Sequence, residues 1–543
     1  MVKAMQPIFM MKDDDFERTE GKNAKKLNIQ VAKEVANVVR TTLGPRGQDK
    51  LIVDVVGDIT VSNDGVTILN EMKIDHPIAK MIVEIAKMQE EAVGDGTTTA
   101  VVLAGELLNK AEFLLEKGVH PTTITKGYKL AEMKAQEILQ TLALNVDVND
   151  EKLLKKIAIT AMIGKSAENN KEFLSDIIVK SVKTIIDNGK VDLNNINIEK
   201  KEGSSIMKSI LVNGIVIDKE KCNPSMPSLV QNAKIALLSS AIEIKKGIFD
   251  SQIQITNPIE IERYIQQEEK MISYKIDKIK KSGATVVFCE QNIDDIAINN
   301  LSENKIMCVK RVKRKDMESL SKATGAKIVG NVENLSEEKL GFSGKVFEEK
   351  FGKDIMIFVA ECKNPKSVTL FIRAGTKHIA EEIARSVTDA IGDLCASIND
   401  QKIVGGAGSV EMALSTALHE YASTVEGKEQ YAVQAFAEAL EIIPHTLAEN
   451  AGLDAMGIMT KLRKSHKETE CWLGINVFTG EIQDAFEMGV IEPLRIKTQA
   501  LSSATEVAEM ILRIDDVVIG KPKKTQGQQP PYDQVPSQFG QYM

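Results

Sequence analysis

Apolar residues recur at helical spacing from Asn28 to Arg40, at Ala32, Val35, Ala36 and Val39, which predicts a helix ending before Gly44-Pro45. The pattern then changes. Leu51 to Val61 carries β-branched residues on two arms with Gly57-Asp58 between them, the composition of a hairpin. The hairpin leads into Ser62-Asn63-Asp64-Gly65, an acidic turn before a new apolar helix start. Gly94-Asp95-Gly96-Thr97-Thr98-Thr99 precedes another, from Ala100 to Leu115. Three Gly-rich turns, at Gly44, Asp64 and Asp95, therefore adjoin helices within the first hundred residues, an arrangement suited to converging on one ligand.

After residue 150 the periodicity is mixed. Thr160 to Glu168 reads as a polar loop, and Ile210 to Asp218 as a strand leading into Asn223-Pro224-Ser225-Met226-Pro227. From Lys234 to Val329 apolar strands alternate with helices: strands at Ile235–Leu238, Ala284–Cys289, Ile306–Val309 and Lys327–Val329, helices at Ile261–Lys281, Ile293–Leu301 and from Asp316. This is the pattern of an α/β domain. The long helix carries Ile261, Tyr264, Ile265, Met271, Ile272 and Ile279, a stripe that reads first as packed core and second as a partly covered face. The last third is mostly helical, with a strand-like stretch at Trp472–Phe478 and a final helix at Thr505–Ile514. From Lys521 the chain is rich in Lys, Gln and Pro without an apolar period, and is expected to be a flexible tail.

The Gly94–Thr99 hexapeptide holds the most specific chemistry. Two glycines flanking a carboxylate let the backbone turn sharply against a polyphosphate, and three hydroxyls fall in a first helical turn whose unpaired N–H groups favour an anion. Asp95 is then free to hold magnesium. An ordinary loop with Asp and Thr caps fits the same six residues. The common nucleotide fingerprints are missing. Gly164-Lys165-Ser166 ends like a Walker loop, but Ile159 stands where its leading glycine is required, and Gly406-Ala407-Gly408 lacks the rest of a dinucleotide motif.

With 543 residues, 43% of them hydrophobic, the chain has room for three or four domains with real cores. A net charge of -8 argues against a general nucleic-acid binder, and the basic run Lys310–Lys315 reads as solvated surface. No apolar segment approaches the roughly 18 residues needed to cross a bilayer, and acidic residues stand near the N-terminus where a signal peptide has its apolar core. A cytoplasmic protein without membrane or nucleic-acid partners is expected. The six cysteines (Cys222, Cys289, Cys308, Cys362, Cys395, Cys471) have no close pair in sequence and the six histidines are dispersed. Zinc clusters, disulfide frameworks and cysteine nucleophiles therefore have no anchor.

Five segments occur together in one order: Thr41-Thr42-Leu43-Gly44-Pro45-Arg46-Gly47, Asn63-Asp64-Gly65, Gly94–Thr99, Ala448-Glu449-Asn450-Ala451-Gly452-Leu453-Asp454, and Gly489-Val490-Ile491-Glu492-Pro493. In these the sequence resembles the group II chaperonins, the thermosome and TRiC family, from about Thr19 to Asp516. The uninterrupted Asp277–Ala326 segment, the few cysteines and the Lys- and Ile-rich composition resemble thermosome subunits more than TRiC subunits.

The resemblance implies the multidomain chaperonin fold, α/β and mainly helical: a helical equatorial ATPase domain at 1–148 and 405–543 with a flexible tail at 521–543, an intermediate hinge domain at 149–218 and 368–404, and an α/β apical domain at 219–367 with a helical lid protrusion near Glu243–Lys281. It implies ATP-driven folding of non-native polypeptides inside a stacked double ring of like or paralogous subunits, with ATP and Mg2+ as cofactors. Leu43, Gly44 and Pro45 and the backbone of Gly96, Thr97, Thr98 and Thr99 would embrace the phosphates, with Asp95 on the metal. Gly164 and Lys165 match the loop that senses the γ-phosphate, and Gly408, Glu492 and Lys497 match the nucleoside end. Asp389 aligns with the hinge carboxylate that orients or deprotonates the attacking water, and Asp64 with its partner.

Two departures stand out. Ala407 replaces a glycine in the turn Gly405-Gly406-Ala407-Gly408-Ser409, so a methyl group is expected near the adenosine. The tail from Gln526 lacks the family's Gly-Met repeats. Two other readings are a structural subunit with little turnover and a small-molecule phosphotransferase. Retention of Asp64, Asp95 and Asp389 argues against the first, and the lack of a second substrate motif against the second.

Overall fold

The computed structural model describes residues 16–53, 57, 59–72, 74–243, 258–468 and 472–520. The turn proposed at Gly57-Asp58, most of the 243–281 protrusion's first half, and the tail from 521 lie wholly or partly outside them.

Helices drawn from both ends of the chain share the largest core. Gly21–Arg40, Pro77–Ala92, Thr97–Glu116 and Pro121–Leu142 from the first part pack with Ser409–Ala422, Glu429–Leu440 and Leu494–Arg513 from the last. The Asn28–Arg40 stripe is buried, as its spacing predicts, at Ala32, Val35, Ala36 and Val39. Thr97–Glu116 buries nearly all faces, among them Val101, Leu103, Leu107 and Leu108, which makes it the central helix of the bundle. Tyr128, fully buried, donates its hydroxyl to the Leu107 carbonyl at 2.7 Å, so its one polar atom is satisfied. The chain is clasped where its ends meet: Phe16–Glu20 pairs antiparallel with Asp516–Gly520, and Arg18 makes a forked ion pair with Asp516.

A second core is built from Glu151–Met162, Lys171–Ile185 and Lys377–Asp400 over a sheet in which Val368–Ala374 lies between Ile196–Glu202 and Ile210–Val212. The helix running to Met162 corrects the loop expected from Thr160. Thr160 looks polar, but its hydroxyl bonds back to the Lys156 carbonyl while Ile157, Ala158, Ala161 and Met162 carry the buried stripe onward.

The third region, between residues 215 and 362, is a mixed sheet with apolar clusters on its two faces. Strands Leu229–Leu238, Val286–Cys289 and Met307–Val309 run parallel, and Gly341–Phe351, Asp354–Ala360 and Ile215–Ile217 continue the sheet antiparallel. Between Lys234 and Val329 the α/β reading holds, but the strand expected over Ile210–Asp218 divides at Asn213-Gly214 into Ile210–Val212 and Ile215–Ile217, which join different sheets, and Gly341–Phe351 and Asp354–Ala360 are strands the sequence reading did not contain. Helix Pro258–Ser282 sends Ile272, Ile276 and Ile279 into the core while Met271 and Tyr274 are exposed, so its C-terminal half is packed rather than protruding. The basic run is solvated except at Val312, which is buried.

Another correction concerns the last helix, which spans Leu494–Arg513 instead of starting at Thr505. Lys497, Thr498 and Gln499 disguise its first turns as loop. Leu494, Ile496, Ala500 and Leu501 are nonetheless buried there, behind a Pro493 that ends the preceding strand. The hairpin is present as Lys50–Val53 paired with Ile59–Ser62. Leu51, Val53, Ile59 and Val61 on it are 65%, 56%, 52% and 47% exposed.

Candidate functional site

A cleft of about 480 Å3 opens where the first two cores meet, lined by the Thr42–Pro45 turn, Asn63, Asp64, Asp95–Thr99, Gly164, Lys165, Gly408, Glu492 and Lys497. Every predicted site residue except Asp389 lines it directly, and Asp389 reaches it through Lys165. Residues spread over more than 450 positions are thus gathered at one place.

Helix Thr97–Glu116 points its N-terminus into the cleft. Gly96, with φ of 80°, ends the preceding loop, and no side chain caps the helix, which leaves its first N–H groups for a ligand. A Cβ on Gly96 would stand 2.6 Å from Ile496 Cγ2, so both the dihedral and the space select glycine. Gln89 holds the loop from behind, donating from Nε2 to the carbonyls of Asp95 (3.0 Å) and Ile496 (3.3 Å).

The Thr41–Gly47 turn is fixed by a segment about 400 residues away. Asn450 Nδ2 donates to the carbonyls of Arg40 (3.0 Å) and Leu43 (2.9 Å), and Arg40 reaches Thr446 and Glu449, which gives the Ala448–Asp454 motif a structural role. The Gly164 loop lies against this turn, and Asn63 Nδ2 donates to the Gly164 carbonyl at 2.6 Å. Asp64 caps helix Gly65–Glu71: its Oδ2 accepts from Thr67 N (2.9 Å) and Thr67 Oγ1 (2.7 Å), while Oδ1 accepts from Thr97 Oγ1 at 3.3 Å.

At the centre is Lys165. Its ammonium bonds Asp389 Oδ2 at 2.6 Å and sits 3.5 Å from Asp95 Oδ1. Burial pushes the Asp389 carboxyl up to about 7, Lys165 opposing and Asp95 and Asp64 adding to it. Burial disfavours the Lys165 charge too, but Asp389 first and Asp95 next hold its pKa above the usual lysine value. Asp389 and Asp64, 325 positions apart in sequence, act on the same lysine.

At the other end Lys497, only 7% exposed, bonds Glu492 at 2.6 Å and Glu411 at 2.9 Å. Glu411, buried in the first turn after Gly408 and reaching the cleft only through Lys497, escaped the sequence reading. Asp393 escaped as well, one turn beyond Asp389 on helix Lys377–Asp400. Burial, reinforced first by Asp95, drives its carboxyl well above the ordinary range. Ala407 adopts φ of 57°, a left-handed conformation costly for alanine, and lines the cleft with its carbonyl accepting from Ile475 N at 3.0 Å.

The polar side-chain groups lining the cleft are carboxylates, amides, hydroxyls and ammonium groups, with no thiol or imidazole among them. That donor set suits a hard, oxygen-preferring cation and an anionic ligand. Of the five cysteines among the described residues four are buried, as expected, and Cys222 and Cys308 meet despite 86 positions between them. Cys222 N donates to the Cys308 carbonyl at 2.9 Å, and Cys308 Sγ lies 3.8 Å from Met226 Sδ. Among the described residues no helix is long and apolar enough to cross a membrane.

Residues 35–522 match the model of the TCP-1/cpn60 chaperonin family. The chain is 52% identical over 517 residues to a thermosome subunit of Methanothermococcus thermolithotrophicus, with 95% of each chain covered. It is 51% identical over 518 residues to thermosome subunit beta of Methanothermobacter thermautotrophicus, covering 95% of this chain and 96% of the relative. Against thermosome subunit alpha of the same organism it is 49% identical over 521 residues, covering 96% and 95%.

Proposed function

The chain belongs to the TCP-1/cpn60 chaperonin family as an ATP-hydrolysing group II chaperonin subunit, and from that premise we propose how it works: ATP hydrolysis closes a built-in lid over non-native polypeptides held in a stacked cytoplasmic double ring. Its neighbours in the ring are like or paralogous subunits, as the alpha and beta relatives of one organism suggest. The division into an equatorial unit (1–148 and 405–543), an intermediate unit (149–218 and 368–404) and an apical unit (219–367) is supported by the separate apolar cores.

The Lys165–Asp389 ion pair carries the mechanism. Asp389 comes from the middle unit, the Thr97 helix terminus from the equatorial one, and phosphoryl transfer requires positioning and charge stabilisation more than a covalent nucleophile. The polyphosphate of ATP lies against the N–H groups of Gly96–Thr99 and the Leu43–Pro45 turn, with Gly408, Glu492 and Lys497 toward the nucleoside. Its γ-phosphate competes for the Lys165 ammonium. Once Lys165 turns to the phosphate, Asp389 is released to orient the attacking water and take its proton, with Asp64 beside it. Magnesium held by Asp95 would supply charge neutralisation on the phosphate oxygens. Because Asp389 moves with the middle unit, reaching the water also swings that unit toward the nucleotide, which couples chemistry to closure.

The exposed hairpin supports assembly. Two strands alone are marginal in water, and one bearing four exposed aliphatic side chains calls for a neighbour's strand at its edge.

The test is ATP turnover by the purified protein, together with sedimentation and recovery of a chemically unfolded reporter enzyme. Turnover in a ring-sized particle, with ATP-dependent recovery of the reporter and nucleotide-dependent protection of residues 243–281 from protease, is the expected result. Turnover without reporter recovery or protection would refute the enclosure mechanism.

A further inference from the structure

Asp393 is 1% exposed, lines the cleft, and its Oδ1 accepts no hydrogen bond. Buried polar atoms are nearly always paired, and a buried carboxylate without a partner is costly, so its place beside a ligand site asks for a ligand. The obvious counter-charge is taken: Lys165 gives its short contact, 2.6 Å, to Asp389 and its longer one, 3.5 Å, to Asp95.

The backbone explains how Asp393 comes to face Asp95. Gly392 presses on the loop that carries Asp95: a Cβ at Gly392 would stand 2.4 Å from the Val93 carbonyl oxygen, and one at Gly94 3.6 Å from Gly392 Cα. The contact of the two glycines sets their successors, Asp95 and Asp393, side by side. Within hard-cation sites that also engage a polyphosphate, the protein commonly contributes one or two carboxylates and the phosphates and water complete the shell.

We propose that Asp393 is a second protein ligand of the nucleotide-borne divalent cation, sharing it with Asp95. The proposal rests on the nucleotide reading of the cleft. It gives the orphan oxygen a partner that arrives only with the phosphates. It also divides the work of the two carboxylates on helix Lys377–Asp400, with Asp389 directed toward water and Asp393, one turn on, toward the metal.

The test uses the full-length protein with ADP and Mn2+ as the probe, free Mn2+ being followed by electron paramagnetic resonance, and with ADP alone in EDTA by calorimetry. Wild type is expected to bind Mn2+ in the presence of ADP. Asp393→Asn is expected to weaken that binding about tenfold or more while leaving the affinity for ADP in EDTA unchanged within about twofold. Asp393→Val, which removes the orphan group, is expected to lose Mn2+ to the same extent yet to unfold at a temperature no lower than wild type. Two results would overturn the proposal: Mn2+ binding by both variants equal to wild type, or equal losses with and without the cation. Wild type that binds neither ADP nor Mn2+ would overturn the nucleotide reading itself, a failure distinct from those two.

Discussion

On the role proposed for Asp389, its replacement by Asn is expected to separate catalysis from binding. The substitution keeps the shape and leaves an amide oxygen to accept from Lys165, now at 2.6 Å from Asp389 Oδ2, so the local packing survives. What is lost is the proton acceptor. General-base assistance is worth about 10²- to 10⁴-fold, or about 3–5 kcal/mol of barrier, and turnover of Asp389→Asn is expected to fall by that factor. Nucleotide affinity is expected to hold within about fivefold, with a bias toward tighter binding, since removing one negative charge leaves Lys165 more available to an anion. The pH profile supplies a second check. With the carboxyl of the nucleotide-free protein pushed to about 7, the base is protonated below that pH, so wild-type kcat/KM for ATP rises as pH rises through 7, and that of Asp389→Asn lacks the rise. Steady-state hydrolysis over a range of ATP concentrations, ADP calorimetry and sedimentation of the same samples decide it. A dissociation constant that worsens as much as turnover falls, in particles of unchanged size, would refute the water-directed role.

Lys497→Met strands Glu411 and Glu492 without their cation and is expected to cost about 3–5 kcal/mol, read as earlier thermal unfolding, with part recovered in Lys497→Met/Glu411→Gln. Glu199 has its carboxyl raised from 4.5 to about 7 by burial first and then by Asp218 and Asp316, so its charge opposes folding above pH 4.5 and most fully above 7. Glu199→Gln is therefore expected to stabilise the protein by about 1–2 kcal/mol at pH 8, after allowance for partial exposure, with the gain vanishing as pH falls toward 4.5; melting curves across that window measure it. Leu51→Asp with Val61→Asp charges the hairpin where a neighbour would pair, and is expected to shift sedimentation toward small species without lowering the melting temperature of the subunit core.

Much of this was legible in sequence, for a physical reason: turns and caps write themselves in residue types. Gly96 needs a left-handed dihedral and the Thr run needs a helix start, so the side of the cleft at the Thr97 helix terminus could be read from the Gly94–Thr99 segment. The parallel strands between Lys234 and Val329 were equally readable, because strands buried on both faces are continuous apolar runs, whereas the antiparallel Gly341–Phe351, with its mixed polar and apolar positions, was not. The Glu492–Lys497 end was harder to read. Lys497 is charged and yet only 7% exposed, and its polar neighbours hid a helix, because Glu492 just ahead of that helix and Glu411 from a distant one neutralise it. Asp393 was invisible for a similar reason. A lone acid on a helix reads as solvent-facing until a glycine one position earlier is seen to press that helix against another backbone. The cysteine pair shows the same limit, since the long separation of Cys222 from Cys308 says nothing about which strand lies beside which loop.

The clasp between Phe16–Glu20 and Asp516–Gly520 also bears on how this chain is made. Its largest core cannot close until the ribosome has delivered the final helix. Arg40 waits for Thr446, 406 residues later, and at about 5–20 residues per second the wait is about 20–80 s. Through that interval Val101, Leu103, Leu107 and Leu108 have none of their late-arriving partners, and the nascent segment leaves apolar surface open to water. A subunit with this topology spends most of its synthesis with its largest core unfinished.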